Sequence, residues 1–526
     1  MVTELDPPVA PSRSGPSAPP KWIKVLDQSR CIGCHACTTA CKAENEVPLG
    51  VTRTYVKYVD VGVFPQARRA YQVTRCNQCE DAPCVAACPT SAMHRRDDGI
   101  VDFDKSICIG CKACIAACPY DAIFINPEDH SAEKCNLCAH RIDQGLEPAC
   151  VTVCPVNAIL VGDLHDPDSF AAQIAQREPV AVRRPEKETH PKLFYTGATQ
   201  FTLDPLAAER PTGGIFMWSE QPSGTHAVTS GMPAGERRNS SAAAVLAYDV
   251  AHSIPWDWRV ALYTWTKNVA AGAYLVPLLL VLLGRLDASS PLWTWIGPVL
   301  GLAFLAITGG VLIWDLEHPL RFYMIFTRPQ WRSWLVRGGF IILGYGAVAS
   351  AHVLATILGR DDLLLPLAIA GGPLALMAAV YTAFLFAKSK ARDLWQSPLL
   401  APHIAVQAVL AGGAATILVA AATGEPIGPS ALALAVGLVA HLAFVLGEVT
   451  LPHPTAHARL ASHEMTGGRY RWWFRLGVVA ALAALGFLVL PVPAGLGAAG
   501  AAITALVGLF AHEHAFIQAG QSVPLA

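Results

Sequence analysis

Sixteen cysteines stand in four groups of four between Cys31 and Cys154, and the rest of the 526-residue chain has none. Cys31, Cys34, Cys37 and Cys41 are spaced C-x2-C-x2-C-x3-C, and Cys108, Cys111, Cys114 and Cys118 repeat that spacing. Cys76, Cys79, Cys84 and Cys88 read C-x2-C-x4-C-x3-C, and Cys135, Cys138, Cys150 and Cys154 read C-x2-C-x11-C-x3-C. Pro89, Pro119 and Pro155 follow the last cysteine of three groups. A [4Fe–4S] cube takes four thiolates: three converge from a tight loop, and the fourth, three residues further on, serves a second cube. Groups therefore work in pairs, and four groups predict four cubes. C-x2-C is too short for most disulfides. Structural zinc uses C-x2-C pairs, but leaves a third cysteine so close by unexplained.

The elements that must position these ligands divide the chain in two. Overall it is 53% hydrophobic with a net charge of −1, which gives no global field for nucleic acid. Residues 1–20 hold six prolines and predict disorder, with no apolar signal region and no twin arginine. Residues 21–165 hold every cysteine and predict an α+β cluster domain, with short helices after the cluster loops and a β-hairpin over residues 52–64. Residues 166–245 are rich in Pro, Gly and Ser and predict an extended linker or docking segment, with a small apolar patch at Gly213–Trp218. Residues 246–526 contain eight apolar runs long enough to cross a bilayer, near 259–284, 293–314, 335–358, 363–387, 400–422, 429–450, 473–491 and 495–516. The expected fold is thus a ferredoxin-like domain with four clusters fused to an all-α bundle of eight transmembrane helices.

Eight spans place both ends of the bundle on one side. Loops on that side carry Arg321, Arg328, Arg332 and Arg337, then Lys388, Lys390 and Arg392, then Arg459, Arg469, Arg471 and Arg475; the opposite loops carry Arg285 and Arg360. The positive-inside rule then puts the cluster domain in the cytoplasm, against a multi-pass inner-membrane bundle. Thiols stay reduced there, which suits assembly of a sixteen-thiolate protein.

The quartets, with eleven residues between Cys138 and Cys150, resemble the four-cluster iron–sulfur subunits of molybdopterin oxidoreductases. Dimethyl sulfoxide, polysulfide and nitrate reductases and formate dehydrogenases carry such subunits. The resemblance implies a pairing: Cys31, Cys34 and Cys37 with Cys154; Cys135, Cys138 and Cys150 with Cys41; Cys76, Cys79 and Cys84 with Cys118; and Cys108, Cys111 and Cys114 with Cys88. Some relatives carry Trp at the position of Cys111 and hold a [3Fe–4S] cluster there; Cys111 implies four [4Fe–4S] clusters. The apolar half, through Trp258–Gly272, Asp315-Leu-Glu-His-Pro-Leu-Arg-Phe322, Tyr381-Thr-Ala-Phe384 and Ala519–Leu525, is similar to NrfD-type membrane subunits of polysulfide reductase and its kin. It implies exchange of electrons with ubiquinone or menaquinone, and a molybdopterin-containing catalytic subunit as partner.

Ionisable groups inside a bilayer are costly and are functional candidates by default. Tyr263 and Lys267 lie about 6 and 12 Å into the first span, at a rise of about 1.5 Å per residue. Tyr381 lies at a similar depth on the fourth span, and Asp315, His403, Gln407 and Glu448 fall in the same third of the bilayer. In the family the quinone pocket uses the start of the first span and a tyrosine on the fourth, which points to Tyr263 and Tyr381. Tyr263 and Val260 stand where the family member compared has His and Asn, so Lys267 is expected to compensate. The expected quinone residues are Tyr263, Lys267, Tyr381, Asp315 and His403, with an ion pair between Asp315 and Arg321 shaping the loop. Haem is not expected, because of the four histidines only His403 and His512 match in depth. Two other functions compete: redox-driven proton translocation, for which the outer half offers only His352, Thr308 and Thr356, and passive anchoring of an electron carrier.

Overall fold

The computed structural model describes residues 19–62, 65–210, 243–252, 254–490 and 494–526. Most of the expected disordered segment and the Gly213–Trp218 patch lie outside the described residues.

The cluster domain is built from short elements, because its loops must bend tightly around ligands. The helix Ala36–Glu44 follows the first loop, Pro83–Ala87 lies in the second, Ala113–Ala117 in the third and Ala149–Thr152 in the fourth. Strand β1 (Trp22–Asp27) pairs antiparallel with β8 (Ile159–Asp163) and parallel with β9 (Leu193–Thr196). Strand β2 (Thr54–Val61) pairs antiparallel with β3 (Arg68–Arg75), so the stretch read as a hairpin is one long strand whose partner comes after Pro65. Two small hairpins, β4 (Met93–Arg95) with β5 (Val101–Phe103) and β6 (Ile123–Ile125) with β7 (Ala132–Lys134), complete the ferredoxin-like halves. The segment after residue 165 wraps this domain: β9 joins the first sheet, and β10 (Ala244–Tyr248) joins the edge of β2.

Eight helices long and apolar enough to cross a membrane follow: Trp258–Leu282, Leu292–Trp314, Trp334–Ile357, Asp361–Ala387, Leu400–Thr423, Gly428–Thr450, Arg471–Val489 and Gly495–Gln521. The first and fifth are the most buried and form the centre. They touch through backbone, since a methyl group on Gly272 would lie 1.9 Å from the Ala408 carbonyl oxygen. Small residues let helices approach this closely where lipid supplies no hydrophobic drive between them. Gly371-Gly372-Pro373 does not break the fourth span, which stays helical over Leu364–Ala387.

The two halves are locked together through backbone carbonyls of the cluster loops. Gln330 donates its N–H to the Pro89 carbonyl at 3.0 Å, Ser333 Oγ donates to the Ala87 carbonyl at 2.8 Å, and His318 N–H to the Ile109 carbonyl at 3.2 Å. Gly110, at φ +69°, sits so close to the loop between spans two and three that a Cβ would lie 2.4 Å from that of Glu317. Arg321 is part of this lock: its Nη1 donates to the Lys105 and Cys108 carbonyls at 2.9 Å each. The expected Asp315–Arg321 pair does not form. Asp315 faces Arg259 at 3.4 Å and Lys112 at 3.9 Å instead, because carbonyls of the cluster loop take the guanidinium. The tail is held as well, with Arg183 Nη2 donating to the Leu525 carbonyl at 2.9 Å.

One clamp between the halves titrates. His252 binds Asp121 of the cluster domain at 2.5 Å and Asp249 at 3.0 Å. Burial alone would push this imidazole down; its hydrogen bonds to the two carboxylates outweigh that and raise it to about 9. The unfolded value is about 6.5, so this stabilisation is complete below that pH and is lost as pH rises through about 9. The melting temperature of the detergent-solubilised protein is therefore expected to fall between pH 7 and 10, with a visibly flatter dependence in His252→Gln. An equal slope in the variant would contradict the clamp.

Candidate functional site: from cysteine quartets to an intramembrane cavity

The fold gathers its sixteen sulfurs into four sets that interleave along the sequence. Cys88 joins Cys108, Cys111 and Cys114 around a small cavity, and Cys154 joins Cys31, Cys34 and Cys37 around another. Cys41 faces Cys135, Cys138 and Cys150, and Cys118 faces Cys76, Cys79 and Cys84. This is the partition that the resemblance implies. The loops reach it through left-handed backbone at Gly33, His35, Gly110, Lys112, Leu137 and Cys138. Backbone N–H groups point at sulfur: Met93 to Cys88 at 3.3 Å, Ala132 to Cys108 at 3.5 Å and Ala158 to Cys154 at 3.3 Å. Such donors suit thiolates carrying iron.

Two buried cations reinforce one set. Lys24 Nζ donates to Cys135 Sγ at 3.3 Å, and Arg75 Nη1 donates to Cys150 Sγ at 3.0 Å. Burial pushes the Cys135 thiol up, but Lys24 and Arg75 more than offset it and hold the thiol at about 6.

The sets form a line. Cys37 and Cys41 share the helix Ala36–Glu44, and so tie the first two sets together. Gln78, next to Cys79, donates its Nε2 to the Cys135 carbonyl at 2.8 Å and so ties the second set to the third. Cys84 lies in the helix Pro83–Ala87 and Cys88 caps its end, and Cys114 and Cys118 stand in the same way in and after Ala113–Ala117, so each short helix links the last two sets. One end of the line, at Cys34, is exposed. The other end, at Cys111, meets the membrane half, where Trp256 Nε1 donates to the Cys111 carbonyl at 3.2 Å.

Beneath Cys111 lies a cavity of ≈ 240 Å³. Tyr263, Asp315 and Tyr381 line it, with Trp256, Leu312, Phe322, Phe326, Leu335 and Ile342 among its apolar walls. Two of the expected residues stand elsewhere. Lys267 lies behind the wall, fully buried, with its ammonium 4.5 Å from the Tyr381 ring centre, 6.0 Å from that of Tyr263, and bonded to Thr382 Oγ1. His403 faces the other side of the bundle, where its Nε2 is 2.9 Å from His441 Nδ1. The three histidine rings there are 4.9–5.3 Å apart, and His403 and His512 border a cavity of ≈ 20 Å³. Residues that sequence reasoning passed over include Thr382, Asn268 and Glu513; Asn268 Nδ2 donates to Glu513 Oε1 at 2.8 Å. A glutamate between two histidines in an apolar run was the available signal.

Residues 248–525, just over half of the sequence, match the family described as polysulphide reductase, NrfD. The protein belongs to this family. It is a multi-pass membrane protein in which the NrfD bundle is fused to an iron–sulfur electron-transfer region: residues 67–164 match a 4Fe-4S dicluster domain and residues 22–43 a 4Fe-4S binding domain. A tetrathionate reductase subunit of Salmonella typhimurium is 41% identical over 207 residues, covering 38% of this chain and 81% of that protein. The thiosulfate reductase electron transfer subunit PhsB of Salmonella typhi is 44% identical over 161 residues, 30% of this chain and 83% of that protein. A polysulfide reductase subunit of Wolinella succinogenes is 41% identical over 177 residues, 33% of this chain and 93% of that protein. The region that matches most of the length of those proteins is joined here to an NrfD bundle.

The cations at sulfur have a measurable consequence. A hydrogen bond from a charged donor contributes about 1.5 kcal/mol, which is roughly 60 mV for a one-electron couple. In Lys24→Met, redox-titrated EPR is expected to show one cluster signal shifted to lower potential by about that amount, with the others unmoved. Uniform shifts or none would contradict the assignment.

Proposed function

We propose that this protein carries electrons between a molybdopterin-containing catalytic subunit and the membrane quinone pool. In this reading each sulfur set holds a [4Fe–4S] cluster, and ubiquinone or menaquinone occupies the cavity. Bound clusters would supply one-electron transfer along the line of sets. The supporting observation is that the cavity is lined at once by Cys111, a ligand of the last set, and by Tyr263, Tyr381 and Asp315. The names of the relatives point to a catalytic partner that acts on a sulfur oxyanion or polysulfide. The exposed Cys34 end of the line is where that partner would dock. The arginine-rich loops lie on the face of the bundle that meets the cluster domain, which supports a cytoplasmic orientation in the inner membrane.

The protein's own part is proton handling and placement. Quinone turnover moves two protons with two electrons, and the phenols of Tyr263 and Tyr381 are the hydroxyl donors in the cavity wall. Asp315, held by Arg259 and Lys112, offers a carboxylate at the same wall, on the side of the cluster domain. Lys267 acts as a positioning residue: its ammonium lies over the Tyr381 ring and fixes that ring's orientation. Apolar walls from spans two and three take the ring and tail. Because the proton-bearing groups lie on the side of the cluster domain, turnover is expected to leave the membrane potential unchanged.

The test uses the purified complex and a short-tailed quinol, with cluster reduction followed by low-temperature EPR. Tyr381→Phe is expected to slow quinol-driven reduction by about 10²-fold or more, the usual effect of losing a proton-transfer group, while dithionite still reduces every cluster. Unchanged quinol reduction in Tyr381→Phe and Tyr263→Phe together would remove the cavity from the electron path.

A further inference from the structure

The second half of the bundle holds a cluster that the cavity and the sulfur line do not use. His403 on the fifth span, His441 and Glu448 on the sixth and His512 on the eighth converge, each at least 95% buried. One ligand atom each from His403, Glu448 and His512 lies within 4.8 Å of the others. Among the described residues, both Glu448 oxygens and His512 Nδ1 lack a hydrogen-bond partner, and His403 Nδ1 lies 4.0 Å from Glu448. A carboxylate stranded in an apolar interior is costly unless it is paired or bound to a metal.

We propose that His403, Glu448 and His512 bind a divalent first-row metal ion, with Zn²⁺ as the expected occupant. Two imidazoles and one carboxylate are the donor set of three-ligand zinc sites that keep a fourth position for water. Ligands at about 2.0 Å in tetrahedral array are about 3.3 Å apart, so modest side-chain adjustment brings these atoms to an ion. His403 is already oriented for it. Its Nε2 pairs with His441 Nδ1 at 2.9 Å, leaving Nδ1 toward Glu448. A metal-bound histidine characteristically donates its other ring N–H to an acceptor, commonly a carboxylate, carbonyl or water; here the acceptor is His441 Nδ1. Phe444 stacks on His403 at 5.2 Å and Phe516 on His512 at 6.3 Å, which fixes both rings. His403 and His512 also border a cavity of ≈ 20 Å³ with Gln407 and Glu513. That is room for one water, beside polar groups able to hold it.

The site stands apart from the quinone reading, and its test is metal content. The complex is purified without a polyhistidine tag, dialysed against Zn²⁺ with a competing chelator, and analysed by elemental mass spectrometry. The expected result is one zinc per protein molecule in addition to the cluster iron. Glu448→Gln and His512→Asn should lose it, while iron content and cluster EPR stay as in wild type. His441→Asn, which removes only the orienting partner, should weaken Zn²⁺ binding by about 10–100-fold. Wild type with full iron and no zinc, or Glu448→Gln binding zinc like wild type, overturns the proposal. Should the variants fold poorly, zinc K-edge absorption on wild type decides. A nitrogen and oxygen shell at about 2.0–2.1 Å supports the site, and a sulfur shell at about 2.3 Å assigns the zinc to cluster cysteines and overturns it.

Discussion

The indole of Trp256 donates to the carbonyl of Cys111, and this bond joins the last sulfur set to the bundle. It sets the last sulfur set against the bundle, over the cavity that Tyr263 and Tyr381 line. Trp256 is itself held from three sides. Its ring stacks 5.7 Å from Trp395, its backbone N–H donates to Gln521 Oε1 at 3.2 Å, and its carbonyl accepts from Gln518 at 3.2 Å. The terminal motif Ala519-Gly-Gln-Ser therefore serves as a brace for the contact between cluster domain and bundle. Arg321, Gln330 and Ser333 add bonds to backbone carbonyls of the second and third cysteine groups, alongside side-chain pairs such as His252 with Asp121.

The bundle divides its labour along the same lines. Its first span is central because it carries Tyr263, Lys267 and Asn268 toward different neighbours, and it can be central only because Gly272 lets the fifth span approach at backbone distance. On one side lies the cavity beneath Cys111; on the other lie Glu513 and the histidine cluster. A fully buried lysine is expensive in such a place. Here it is placed over an aromatic face at 4.5 Å, bonded to Thr382, with the Glu513 carboxyl acting on it electrostatically. That environment ties the two sides of the bundle into one polar core.

Much of this was legible before any coordinates. Cysteine spacing encodes the cluster domain because ligand geometry constrains the backbone locally, and apolar length encodes the spans because bilayer thickness does. Tyr263, Tyr381 and Asp315 could be placed at one depth by helical rise alone, and they line one cavity. Azimuth was not legible. Depth cannot say which face of a helix a residue occupies, and so His403 and Lys267 were grouped with residues from which the helix faces separate them. Arg321 was assigned to the nearest acid in sequence, whereas backbone carbonyls of a distant loop claim it. The strand pairing of β9 and β10 was hidden for a related reason: a Pro- and Gly-rich stretch gives no periodicity, yet open sheet edges at β1 and β2 capture it.

The most direct measurement of the central claim is photolabelling of the complex with an azidoquinone, followed by peptide mapping. The account predicts labels on the loop and span segments that wall the cavity, from Phe322 to Phe326 and from Leu335 to Leu343, competed away by unmodified quinol. Competable labelling confined to the sixth and seventh spans would place the quinone away from Cys111, and would contradict the account.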